Sequence, residues 1–190
     1  MDVLEHLTEE HRKAEAMVEQ LAQSSEGPER RRTLSELKEA LSTHMAVEER
    51  FVYPIVEKAV GREEEQGAEN EHELTRAGLQ QMEDLVDEPG FGAAVESLKA
   101  GLAHHVDEEE NDIFPKLREA AQDEVLALGS PDELEEKVKA QGSQPSGGSN
   151  GSNGSGEPTK EELYEMAKEQ DVPGRSQMSK DELREAVGKR

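Results

Sequence analysis

Residues 41–54 read LSTHMAVEERFVYP, and residues 102–115 read LAHHVDEEENDIFP. Laid side by side they pair Leu41 with Leu102, His44 with His105, Glu48 with Glu109, Tyr53 with Phe114 and Pro54 with Pro115, at a constant offset of 61 positions. Each segment holds a His-x-x-x-Glu. Four residues make about one helical turn, so both side chains face the same way. Apolar residues three and four apart extend from these pairs. The first has Leu34, Leu37 and Leu41 before it and Phe51 and Ile55 after it; the second has Val95, Leu98 and Leu102 before it and Ile113 and Leu117 after it. The His and Glu side chains therefore sit on the apolar stripe that a helix turns toward its core.

The same stripe recurs upstream of each segment. One run is Leu4, Leu7, His11, Ala14, Val18 and Leu21; the other is Ala68, His72, Thr75, Leu79, Met82 and Val86. His72 follows His11 by the same 61 positions. The chain reads as two helical hairpins related by a pseudo-twofold axis. Short connections bearing Pro28 and Pro89-Gly90 suit an all-α, up-down-up-down four-helix bundle over residues 1–125. Pro54 and Pro115 are expected to kink or end their helices. A further short helix is expected over residues 126–140, starting near Pro131.

A lone histidine on an apolar stripe is usually a satisfied core residue. Six polar residues on the seam at repeated spacing are different: His11, His44, Glu48, His72, His105 and Glu109. A buried carboxylate costs several kcal/mol unless it is paired, hydrogen-bonded or bound to a metal. A cation removes that cost. Four imidazoles and two carboxylates exceed what one tetrahedral zinc needs. They suit two ions, each taking two histidines and sharing both glutamates. Mixed nitrogen and oxygen donors with open positions suit iron, and manganese or zinc accept the same donors. His6 and His104 fall off the seam. Asp107 to Glu110 read as a solvated face, apart from Glu109. Glu10, Glu49 and Glu71 read as exposed or as neighbours of the ligands. Tyr53 reads as a rim residue, or as a hydrogen-bonding or redox group beside the site. A ferritin-like site needs Glu-x-x-His on two helices, and only Glu69-x-x-His72 matches.

The run His11, His44-x-x-x-Glu48, His72, His105-x-x-x-Glu109 resembles the hemerythrin-like family of HHE cation-binding domains, over roughly residues 1–125. The resemblance implies a di-iron centre with an oxo or hydroxo bridge. It assigns His11 and His44 to one iron and His72 and His105 to the other, with Glu48 and Glu109 bridging. Oxygen carriers of the family have a second ligand four residues after the position of His72. Here that residue is Arg76, which cannot ligate. This shifts the expectation from simple oxygen carriage toward sensing or redox reactivity with oxygen, peroxide or nitric oxide. A peroxide-consuming enzyme is one alternative, and an iron- or redox-responsive interaction protein is another. Glu15 is the pseudo-equivalent of Arg76, so the two are expected to meet as a pair above the ions.

Beyond the bundle, residues 141–156, QGSQPSGGSNGSNGSG, carry no charge and no large apolar group, and read as a flexible linker. Residues 157–190 hold nine acidic and seven basic side chains and two short helical patterns around Val172-Pro173-Gly174. This segment resembles the N-terminal domain of Rho termination factor and its SAP-like relatives. The resemblance implies weak nucleic acid contact through Arg175, Lys180 and Arg184, or docking to a protein. The net charge of −23 disfavours non-specific binding to phosphates or anionic membranes and favours cations. Without Cys, disulfides, thiolate ligands and a Cys nucleophile are excluded. No run is long enough to cross a membrane. The first residues lack the pattern of a signal peptide, so a cytoplasmic location is expected.

Overall fold

A computed structural model describes residues 1–140. The expected linker and tail, with Arg175, Lys180 and Arg184, lie outside the described residues. Within them every regular element is helical: α1 (Val3–Ala22), α2 (Pro28–Val47), α3 (Tyr53–Ala59), α4 (Arg62–Asp84), α5 (Phe91–Glu108), α6 (Phe114–Ala120), α7 (Gln122–Ala127) and α8 (Pro131–Ala140). Local chemistry sets the starts. Asp2 caps α1 in a capping box: the Glu5 N–H donates to Asp2 Oδ1 at 2.9 Å, and the Asp2 N–H donates to Glu5 Oε2 at 3.0 Å. Pro28 opens α2, where its missing N–H costs nothing. Gly90, at φ 116°, turns the chain into α5 through a conformation that side chains other than glycine resist.

The two hairpins, α1 with α2 and α4 with α5, close into the expected all-α bundle, with α1 also against α5. The core has two apolar layers. One is built on Leu4, Leu7, Val52, Val56, Ile113 and Leu117; the other on Val18, Leu37, Leu79, Met82, Val95 and Leu102. Full burial of each such side chain contributes about 1.5–3 kcal/mol. The six seam residues lie between the layers, so water is excluded above and below them. The short helix expected near Pro131 is α8. It packs on α2 and buries Leu134 and Val138 in the first layer.

The prolines do not end their helices. A π-helical segment, Glu48–Val52, joins α2 to α3, and another, Glu109–Ile113, joins α5 to α6. The Tyr53 N–H donates to the Glu48 carbonyl, and the Phe114 N–H to the Glu109 carbonyl, each five residues back. Proline has no N–H to donate and its ring crowds the carbonyl four residues back. One wide turn just before each proline absorbs that mismatch. It also shifts the register by a residue. A strict helical period places Phe51 in the core; instead Phe51 is half-buried, while Val52 and Tyr53 are buried.

Candidate metal centre

The π-turns begin at Glu48 and Glu109. Both carboxylates lie in the polar layer with His11, His44, His72 and His105, and none of the six is more than 3% exposed. Each histidine approaches one glutamate oxygen. His11 Nε2 and His105 Nε2 stand 3.4 and 3.5 Å from Glu109 Oε2. His44 Nε2 and His72 Nε2 stand 3.3 and 3.2 Å from Glu48 Oε2. The ring centroids of His11 and His44 are 4.7 Å apart, and those of His72 and His105 are 5.0 Å apart.

A second ring of carboxylates holds the outer nitrogens. His11 Nδ1 pairs with Glu110 at 2.9 Å, His44 Nδ1 with Glu10 at 3.0 Å, His72 Nδ1 with Glu49 at 2.8 Å and His105 Nδ1 with Glu71 at 3.1 Å. A carboxylate accepts, so each Nδ1 carries a proton, and each Nε2 faces inward, where a neutral ring presents its lone pair. This ring obeys the same offset: Glu10 corresponds to Glu71, and Glu49 to Glu110, 61 positions on. Glu110, read from sequence as part of a solvated face, is therefore a positioning residue. Applying the offset to every acidic residue near a seam histidine would have found it.

The expected Glu15–Arg76 pair gives way to other partners. Arg76 donates to Glu49 at 2.6 Å and to Glu73 at 2.8 Å, while Glu15 accepts from Arg12 at 3.0 Å. Arg12 also donates to Glu110. Each arginine thus reaches the carboxylate that holds a histidine and takes a second carboxylate three residues away on its own helix. Tyr53 is no rim residue. It is 1% exposed, donates to Glu109 Oε1 at 3.0 Å and lies 3.0 Å from His72 Nε2. Its counterpart Phe114 stacks on His11, at 6.2 Å between centroids.

Charge is unevenly distributed. Burial pushes the Glu48 carboxyl well above the usual range, and the charge of Glu109 adds to this. Burial also pushes Glu109 upward, but the nearby His105 and His11 outweigh it and hold that carboxyl far below the usual range. Burial pulls the His44 imidazole down to about 4, against its bond to Glu10. It likewise lowers His72, against the bond to Glu49. For His105 the charges of Glu109 and Glu71 exceed the burial effect and raise it.

The donors fit a cation. Nε2 of His11, His44 and His105, both oxygens of Glu48 and Oε2 of Glu109 are buried without a hydrogen-bond partner. So many inward-facing lone pairs in a dry core are costly unless a positive ion answers them. One atom from each of His11, His44, Glu48, His105 and Glu109 lies within 4.8 Å of all the others.

Comparison with known proteins agrees. Residues 2–117 match the hemerythrin HHE cation-binding domain. An uncharacterized hemerythrin-like protein of Schizosaccharomyces pombe is 28% identical over 142 residues, covering 72% of this chain and 70% of that protein. The buried donor set and the match over more than half of the chain lead to one conclusion: this protein belongs to the hemerythrin HHE cation-binding family.

Proposed function

We propose that the buried donors hold two iron ions, His11 and His44 on one, His72 and His105 on the other, with Glu48 and Glu109 shared, and that the centre binds or reacts with oxygen, peroxide or nitric oxide. The observation that carries this is the set of partnerless inward atoms, each imidazole fixed from behind by its own carboxylate. The pairing is supported by the ring distances, which are shortest within each proposed pair. Sharing is supported by the glutamates: the Oε2 of each faces one histidine from each pair. When bound, the iron pair supplies open coordination positions and electrons.

The side chains around it bind, orient and handle protons. Glu10, Glu49, Glu71 and Glu110 fix ring orientation and tautomer. Arg76 withholds a ligand and steadies Glu49 instead. The single phenolic proton of Tyr53 lies between two acceptors, His72 Nε2 and Glu109 Oε1. Reduction of peroxide or dioxygen consumes protons, so this proton favours redox reactivity over simple carriage.

Among the described residues no helix is long and apolar enough to cross a membrane, and a cytoplasmic location remains part of the proposal. Contact of the tail with nucleic acid or a protein rests on its sequence pattern alone. Metal analysis of protein from iron-supplemented cells, with absorption spectra before and after azide or peroxide, tests the central reading. We expect close to two irons per chain and near-ultraviolet bands that azide shifts. A single zinc, or no bound metal, overturns it.

A further inference from the structure

His6 repeats the His-x-x-x-Glu spacing one turn before the buried centre, with Glu10 as its partner on α1. His6 Nε2 lies 2.9 Å from Glu135 Oε1, on α8, and 3.7 Å from Glu10 Oε1. The three ligand atoms fall within 4.8 Å of one another. We infer that His6, Glu10 and Glu135 form a separate cation site, taking one divalent transition-metal ion at the seam between α1 and α8.

Each carboxylate divides its oxygens. Glu10 gives Oε2 to His44 Nδ1 and turns Oε1 toward His6; Glu135 gives Oε2 to Lys139 and turns Oε1 toward His6. Outer partners of this kind hold metal ligands in place. One Nε2–H serves Glu135 at hydrogen-bond distance, and Glu10 approaches the same nitrogen only as a longer ion-pair contact. Two carboxylates drawn to one imidazole repel each other, and a cation between them reverses that. The side chains are 13%, 19% and 22% exposed, sheltered but reachable. A cleft of about 300 Å³ opens beside them, lined also by Glu36, Glu39 and Lys139, and its excess of carboxylates concentrates cations.

One imidazole nitrogen and two carboxylate oxygens suit zinc, manganese, cobalt or ferrous iron better than calcium, which prefers oxygen alone. The other surface group of this type, Glu71, His104 and Glu108, differs in one respect: His104 is 73% exposed, so bulk water competes for the ion. Glu135 lies outside residues 2–117, the part that matches the family. Glu10 touches both the proposed ion and His44, so the two sites share one residue.

The test uses the full chain loaded with iron and then titrated with cobalt(II), whose visible absorption reports nitrogen and carboxylate ligation. We expect one more cobalt per wild-type chain than for Glu135→Gln or His6→Ala, and at least tenfold weaker uptake by both variants. Glu135→Gln preserves size and packing, so α8 stays in place. Glu136→Gln removes the same charge one residue away, on an exposed side chain, and should bind like wild type. Equal cobalt uptake by wild type, Glu135→Gln and His6→Ala overturns the site. Equal loss in Glu136→Gln also overturns it, because the effect would then be diffuse charge. The readout is the difference between variants, so it holds whatever the buried centre contains.

Discussion

The first hairpin, residues 3–59, and the second, residues 62–120, carry the same inner donors at the same positions, and they diverge with distance from them. The inner histidines, the buried glutamates Glu48 and Glu109 and the four carboxylates behind the rings all keep the 61-position offset. One shell further out the offset fails in detail while the purpose survives. The first half has Arg12 before Glu15, the second Glu73 before Arg76, yet each arginine reaches the carboxylate behind its own histidine. Donor atoms must meet at one place, which fixes residue and position together. A guanidinium on a long side chain needs only to arrive, so its starting point is free to change.

Other differences make the halves physically unequal. Tyr53 offers a proton where Phe114 offers only a ring face. His44 and His105 occupy equivalent positions but shift in opposite directions, since His105 faces the strongly ionised Glu109 and His44 faces Glu48. Between α1 and α2 Met17 helps leave only about 40 Å³ of space, whereas Gly78, its counterpart, lines a groove of about 380 Å³ between α4 and α5. And α8 covers α2.

The comparison breaks most visibly at the two buried carboxylates. Glu48→Ala and Glu109→Ala should each weaken cation retention by more than about 100-fold, read by metal analysis after dialysis. A variant that keeps full occupancy would show that its carboxylate is not needed to hold the cation.

With the cation stripped by chelator, acid should separate the two halves. His44 is depressed from 6.5 to about 4 in the folded protein. Its contribution is therefore complete above pH 6.5 and lost as pH falls toward 4, by about 3 kcal/mol. His105 is raised, so its contribution is present below 6.5 and lost as pH climbs through its folded value. Thermal melts across pH 4 to 8 should show His44→Asn less acid-sensitive than wild type and His105→Asn more so; the same slope for both would contradict the asymmetry.

In the same stripped protein at neutral pH, Glu48→Gln should raise stability and Glu109→Gln lower it, each by about 1–3 kcal/mol. The first removes a carboxyl that burial opposes; the second removes a charge that His11, His105 and Tyr53 answer. Denaturant titration measures both. Tyr53→Phe gives the first half the bare ring that Phe114 gives the second, and should cost about 1–2 kcal/mol.

The smallest effect is expected at the arginines. Arg76→Gln should cost no more than about 1 kcal/mol, and Arg12→Gln less, because Glu49 is 7% exposed and Glu110 16%. Chemical melts of the two variants would sharpen the comparison, and a reversed order would argue that exposure does not rank them.

The amino-acid pattern by itself determined the four long helices, their pairing into hairpins and the six polar residues on their seam. A 3.6-residue period and a 61-position repeat are linear properties, and six polar residues on an apolar seam conflict with burial unless something compensates. Only the tertiary structure decided the rest. A π-turn adds one residue to a helical turn without changing composition, so nothing in the period revealed that Phe51 would yield its place to Val52 and Tyr53. The partners of Arg76, Glu110 and His6 depend on which side chain from another helix arrives first. That is a matter of distance in space, and spacing along the chain does not encode it.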